Sequence, residues 1–238
     1  MSSLALMRFL EGAPERYDAG MRVITLGRVG RLHAAAARAA LDRTSPATTA
    51  TPTTRARDVL EIGCGSGAVT ALLLAGGARV TALDQSPAML EQARKRIARA
   101  PANGNGSVTW LERTASEIDA FPAHSFDAVV ASLSLSDMAP GERAFVLAHA
   151  RECLRPHGVL VVADEVRPRH HWRRWPAAAM RFPQAVLGWL LAGSVSQPLA
   201  DLPSELSAAG FDRVGEQRWL LDTLAVFTAV SREEYPPT

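Results

Sequence analysis

The chain predicts an α/β fold with a mostly parallel sheet, and three observations predict it. Val59, Leu60 and Ile62 form an apolar run that suits a buried strand, and the run ends in the glycine-rich turn Gly63-Cys64-Gly65-Ser66-Gly67. Strand-like and helix-like segments then alternate as far as residue 163, the order that lays successive strands side by side in parallel. The chain closes on a short helix and two strands in direct succession, 211–218 and 220–230, which read as an antiparallel hairpin. Seven strands are expected in all.

Composition narrows the class. A length of 238 residues allows one large domain with additions, and 47% hydrophobic residues are ample for its core. The net charge of +2 argues against a dedicated nucleic-acid binder, so no nucleic-acid partner is expected. Lys95 is the only lysine, so nearly all positive charge is arginine. The two cysteines, Cys64 and Cys153, have neither a disulfide framework nor zinc spacing, and no metal site is expected. The apolar run that ends at Leu10 is too short for a signal peptide and is followed by charge, so a cytoplasmic location is the default expectation.

Taken in order, residues 1–43 are expected to form an N-terminal helical cap, because Ile24, Leu26, Val29, Leu32 and Ala36 recur at near-helical spacing. Residues 44–56, rich in threonine and proline, read as a low-complexity linker. The core, 57–238, begins with the strand before the glycine turn, and the helix from Ala68 stops at Gly76-Gly77. The second strand, 79–84, ends at Asp84. Ser86 then suits an N-cap and Pro87 the first helical position. A third strand at 108–111 and a fourth at 128–132 follow. The next helix, 142–154, is expected to bury Phe145, Val146, Ala148 and Ala150. A turn at 154–158 leads into the fifth strand, 159–163, and would place His157 in a mildly strained left-handed conformation. Residues 166–203 read as a helical insertion. Within 167–195, arginines and tryptophans stand beside an apolar stretch too short to span a bilayer, a pattern that fits a pocket cap and also peripheral contact with the inner face of a membrane.

The chemistry sits at the ends of the first two strands. Gly63, Gly65 and Gly67 let the backbone approach a ligand, and Asp84 is placed to bind a ribose diol. Two nucleotide-like ligands compete. Gly63, Gly65 and Ala68 fit the dinucleotide fingerprint, which seats a pyrophosphate on the helix N-terminus. The alternative, S-adenosylmethionine, ends in an amino acid with an ammonium group, and Glu61 suits that cation better than it suits a pyrophosphate.

The run Val59-Leu60-Glu61-Ile62-Gly63-Cys64-Gly65-Ser66-Gly67 resembles the first motif of the class I S-adenosylmethionine-dependent methyltransferases, and Asp84-Gln85-Ser86-Pro87-Ala88-Met89-Leu90 resembles their second. Dinucleotide enzymes lack the Ser-Pro-x-Met-Leu continuation. Leu206-Ser207-Ala208-Ala209-Gly210-Phe211 is similar to the family's entry into its terminal hairpin. The resemblance implies a Rossmann-like class I methyltransferase fold and S-adenosylmethionine as cofactor. It places Glu61, Gly63, Cys64, Gly65, Gly67, Asp84, Gln85 and Met89 around that cofactor. Thr114 and Ala115 stand where relatives carry an adenine-binding aspartate, and Ser132 closes the fourth strand, beside which the family holds the transferred methyl. His124 falls at a variable loop position and is expected to be solvated rather than catalytic.

On the acceptor side, the stretch 133–138 is similar to the small-molecule methyltransferases of quinone biosynthesis, with Asp137 where histidine is common. Asp137, Tyr17 and Asp164 are the catalytic candidates, and Asp137 is also readable as the anchor of the next helix. A narrower resemblance, to the bacterial corrinoid protein-associated methyltransferases, rests on Arg8-Phe9-Leu10-Glu11, on Pro14 with Arg16-Tyr17-Asp18, and on Ala163-Asp164-Glu165-Val166 with Pro168. It implies a corrinoid protein as a partner. The expected activity is methyl transfer to a small or membrane-associated acceptor. A quinone-ring carbon methyltransferase and a non-catalytic cofactor-binding partner of a corrinoid protein are the alternatives, and a dehydrogenase is disfavoured.

Overall fold

A computed structural model describes residues 21, 22, 25, 27–42, 55–100, 105–169 and 198–231. The expectations for Tyr17, for most of the linker and for nearly all of the basic and aromatic insertion lie outside the described residues. The elements are α1 (Val29–Leu41), β1 (Asp58–Ile62), α2 (Ala68–Ala75), β2 (Arg79–Asp84), α3 (Pro87–Arg99), β3 (Ser107–Glu112), β4 (Phe126–Ser132), α4 (Pro140–Cys153), β5 (Leu154–Glu165), α5 (Leu202–Ala208), β6 (Phe211–Trp219) and β7 (Leu224–Ser231). Short 3-10 turns, Ala115–Ala120 and Leu135–Asp137, precede β4 and α4.

The seven strands form one sheet in the order β3-β2-β1-β4-β5-β7-β6. Pairing is parallel from β3 through β5, and β7 is antiparallel to both of its neighbours. The chain works outward from β1 to β3 and then crosses back to β4 on the other side of β1. That reversal opens a crevice at the carboxyl ends of β1 and β4, where open α/β sheets bind ligands.

Side chains alternate across the central strands. Leu60, Ile62, Val129, Leu160, Val162 and Phe227 belong to a core shared with Val146, Leu147, Ala150 and Leu206 of α4 and α5. Val59, Val80, Val130, Val161 and Val226 belong to the other core, with Leu32, Ala36, Val69, Leu73 and Leu90. Both faces of the central strands are covered, which explains why these strands read as continuous apolar runs.

Three expectations are corrected. In α4, Phe145 is exposed and Ala148 only half-buried, whereas Leu147 is buried with Val146 and Ala150. The helix starts at Pro140, and its buried face runs through Arg143, Val146, Leu147, Ala150 and Cys153. The expected turn at 154–158 lies within β5. Phe126 pairs with Leu154 and Ala128 with Val159, so residues 155–158 bulge out of the ladder, with His157 at φ 63°. The last strand begins at Leu224 rather than residue 220. Leu220, Leu221 and Asp222 all take positive φ, and Thr223 closes the turn by donating from its N–H and its hydroxyl to the Leu220 carbonyl.

Candidate functional site

The glycine turn is shaped by what surrounds it. At Gly65, φ is 51° and a Cβ would meet nothing within 4 Å, so this backbone faces open space. At Gly67, φ is 75° and a Cβ would lie 2.8 Å from that of Ala93, which makes this glycine the contact between α2 and α3. Gly63 passes just as close to Ser134 of the loop after β4. Gly65 thus faces open space, and at Gly63 and Gly67 the missing side chain lets neighbouring elements close in.

Asp84 ends β2 and holds the turn. Its Oδ2 accepts from the Gly65 N–H at 2.7 Å and its Oδ1 from the Ser86 N–H at 2.9 Å. Ser86 then caps α3, accepting from the Met89 N–H. Burial raises the Asp84 carboxyl above its ordinary range, and the two amides offset part of that. Each oxygen keeps acceptor capacity for a ligand hydroxyl.

Glu61 is almost wholly buried, at 2% exposure, and its Oε2 accepts from the Thr70 hydroxyl at 2.6 Å. Desolvation pushes its carboxyl up to about 8, against the Thr70 hydrogen bond and with the nearby Asp84 charge adding to the rise. Burial thus favours its protonated form. Cys64 is buried, and desolvation pushes its thiol far up, so it is packing rather than a nucleophile.

Two cavities meet at the turn. One, of about 270 Å³, is lined by Gly63, Gly65, Asp84, Gln85 and Met89, by Thr114 and Ala115, and by Ser132, Leu133, Asp137 and Met138 from the β4 side. The other, of about 460 Å³, lies between the segment that enters α1 and the turn, and its lining includes Arg22, His33, Glu61, Cys64 and Ser66. Gly63, Gly65, Ser132 and Leu133 line both. The structure thus gathers every described cofactor-side residue expected from the sequence except Gly67, which packs α2 against α3 instead.

The acceptor-side candidates separate. Asp137 lines the smaller cavity. Asp164 is fully buried and lines neither cavity. Its Oδ2 accepts from the N–H groups of Leu135 and Ser136 at 3.0 and 3.1 Å, and its Oδ1 from the Glu165 N–H at 2.7 Å. An acid read as facing the acceptor is therefore an anchor beneath the loop, because β5 continues through Asp164 and turns its side chain inward. His124 is exposed, with Nδ1 3.0 Å from the Leu154 carbonyl oxygen, away from both cavities. Thr114 is drawn into a local cap, in which the Glu117 carboxylate accepts from its N–H at 2.8 Å and from its hydroxyl at 3.2 Å. Sequence reasoning placed Leu133 in the acceptor-side stretch but missed its φ of 55°, and it missed the arginine-bearing second cavity. A leucine in a left-handed conformation leaves no signature in a sequence, and Arg22 stands far from the motifs.

An adenosine joined to an amino acid fits these features. The smaller cavity offers a carboxylate with spare acceptor capacity, and the larger one has both Glu61 and Arg22 in its lining. The Ser132 Oγ, in the lining of both, is buried with no hydrogen-bond partner among the described residues.

Known proteins agree with this architecture. A methyltransferase domain family matches residues 59–158. An uncharacterized methyltransferase of Synechocystis sp. is 30% identical over 173 residues, covering 72% of this chain and 74% of that protein. A demethylmenaquinone methyltransferase of Tropheryma whipplei is 36% identical over 116 residues, which is 49% of this chain and only 45% of that relative's length. Among solved structures, magnesium protoporphyrin IX methyltransferase from Synechocystis, with S-adenosylmethionine bound, superposes with a TM-score of 0.57 at 19% identity, covering 87% of this chain and 81% of that one. At that identity the likeness is one of fold. The motifs, the strand order and the length of the first match together place the chain in the class I S-adenosylmethionine-dependent methyltransferase family.

Proposed function

We propose that this methyltransferase acts on a small, largely apolar ring acceptor of the quinol type. The observation that carries the reading is the wall after β4, where apolar Leu133 and Met138 stand beside the Asp137 carboxylate, in the cavity that Asp84 and Glu142 also line. A demethylmenaquinone methyltransferase among the relatives supports it.

The bound cofactor supplies an electrophilic methyl on a sulfonium. Asp84 takes the ribose diol, with Gln85 and Met89 beside the adenosine and Thr114 and Ala115 at its base edge. Glu61 gives up its proton as the ammonium end arrives, and Gly65 lets the backbone lie against the ligand. Leu133 and Met138 exclude water and orient the acceptor, so positioning supplies most of the rate. Asp137 accepts the proton that a quinol ring loses on methylation.

The test is to incubate the protein with S-adenosylmethionine and a demethylated naphthoquinol, with trans-aconitate as a polar acid control, and to follow methylated product by mass spectrometry. The expected result is methylated quinol only, with Asp137→Asn slowing turnover roughly a hundred-fold, within the range of general base catalysis. Methylation of the acid alone, or of neither while the cofactor binds, would refute the quinol reading. Association with a corrinoid protein and membrane contact through 167–195 rest on residues that lie mostly outside the described ones. Among the described residues no helix is long and apolar enough to cross a membrane.

A further inference from the structure

The 3-10 turn Leu135–Asp137 is gripped at both ends by charged side chains that line neither cavity. At its start, Asp164 accepts from the N–H groups of Leu135 and Ser136. At its end, Arg143 donates from Nη1 to the carbonyls of Leu135 and Met138, at 3.3 and 3.1 Å. The guanidinium is fixed in turn by Glu205 of α5 through two bonds, Nε to Oε2 at 2.5 Å and Nη2 to Oε1 at 2.8 Å. A carboxylate on the N–H end and a guanidinium on the carbonyl end match the polarity of the turn.

The grip extends upstream. The Leu133 N–H donates to the Ala163 carbonyl at 2.8 Å, and the Ser134 hydroxyl donates to that of Ile62 at 3.2 Å. Leu133 is thereby kept at φ 55°, a left-handed conformation that is strained for a leucine. Strain of this kind persists only where its surroundings over-determine it, and it gathers at functional sites. The gripped loop supplies Ser132, Leu133, Ser134, Asp137 and Met138 to the cofactor cavity. Stability alone is a poor reason to bury Arg143, since apolar residues would stabilise about as well.

We infer that Asp164 and the Arg143–Glu205 pair are positioning residues that hold the 132–138 loop in the shape the cofactor needs, so that Glu205, which lines neither cavity, governs cofactor affinity. This rests on the reading of that cavity as the cofactor site. Loss of either end frees Leu133 to relax, and the wall then has to be re-ordered each time a ligand binds.

The test uses the full chain with Glu205→Gln and, at the other end of the turn, Asp164→Asn. Binding of S-adenosylhomocysteine is measured by calorimetry, and amide exchange is followed by mass spectrometry. Both variants are expected to weaken binding about ten-fold and to speed exchange within 133–138, while strands 58–62 and 79–84 keep their protection. Arg143→Lys, which keeps the charge and loses the fork, is expected to fall between them and the wild type. Unchanged affinity in both variants overturns the inference, and so does exchange that rises equally across the sheet, which marks a general loss of stability. If the wild-type protein fails to bind S-adenosylhomocysteine, the cofactor reading fails. The exchange experiment still decides the grip, and unchanged protection at 133–138 refutes it.

Discussion

Gly65 and Gly67 stand two residues apart and answer to different demands. Both hold positive φ, where alanine costs about 1–2 kcal/mol. At Gly67 the new methyl would also press on Ala93, adding about 1–3 kcal/mol. Gly67→Ala is therefore expected to lower the melting temperature more than Gly65→Ala, whereas Gly65→Ala is expected to lose more affinity for S-adenosylhomocysteine. Melting curves and calorimetry on the two variants check the inversion. Glu61 gives a second prediction. Its carboxyl is pushed up to about 8 by burial, and it is expected to ionise against the ligand ammonium. Binding at pH 7 should release protons, seen as a heat that varies with the ionisation enthalpy of the buffer, and Glu61→Gln should lose most of that dependence. The sequence placed Glu61 at the site because its motif did. That its carboxyl is raised there follows from burial by the packing around the strand, against the Thr70 hydrogen bond, which no spacing reveals.

Elements were legible where period and caps agreed. β2, the Ser86 cap and Pro87 at the start of α3 stand where the sequence puts them, because the polar ends and the apolar interior give the same boundaries. α4 shows the opposite case. Its apolar residues allow more than one phase, and Phe145 drew the reading toward the wrong one. Phe145 lies at the surface, its ring against that of His149 with centroids 4.0 Å apart. Leu147→Ala is expected to cost about 2–5 kcal/mol, and Phe145→Ala no more than about 0.5 kcal/mol, in denaturant unfolding. The hairpin start was misplaced for a related reason. Leu220-Leu221 looks like strand, and nothing in it announces a turn that holds three successive positive φ values without glycine.

Among the described residues, the cavities and a network of two aspartates and three arginines lie at opposite ends of the sheet. The cavities open at the carboxyl ends of the strands. At the amino ends, Asp58 and Asp127 meet Arg55, Arg79 and Arg155, with Arg79 to Asp58 at 2.6 Å and Arg155 to Asp127 at 3.0 Å. Partial burial alone would raise the Asp58 carboxyl, but Arg79, Arg155 and Arg55 outweigh it and hold it down to about 2. A depressed acid stabilises the fold above its ordinary range, and that stability is lost as pH falls from 3.8 through about 2. Glu61 and Asp164, raised to about 8 and about 6, act in the opposite sense. The folded state holds their protons more tightly than the unfolded chain does, so stability falls as pH rises from the ordinary carboxyl range through those values. Melting temperature is therefore expected to be greatest near pH 4, to fall below it as Asp58 is protonated, and to decline above it, faster up to about pH 6, where Glu61 and Asp164 both contribute, than from there to about pH 8. Glu61→Gln should flatten the alkaline side of that profile. The parallel order and the terminal hairpin followed from the alternation of segments. The division of the sheet into a binding end and an ionic end did not, since it depends on strand register.

The central claim is that the joined cavities hold S-adenosylmethionine, with Asp84 on its ribose. The most direct measurement is calorimetric titration with S-adenosylhomocysteine and, separately, with NAD, on the wild-type protein and on Asp84→Ala. The account predicts binding of the sulfur ligand, a loss of roughly ten- to a hundred-fold in Asp84→Ala from two charge-assisted hydrogen bonds, and no binding of NAD. Binding of NAD instead, or affinity for S-adenosylhomocysteine that Asp84→Ala leaves unchanged, would contradict it.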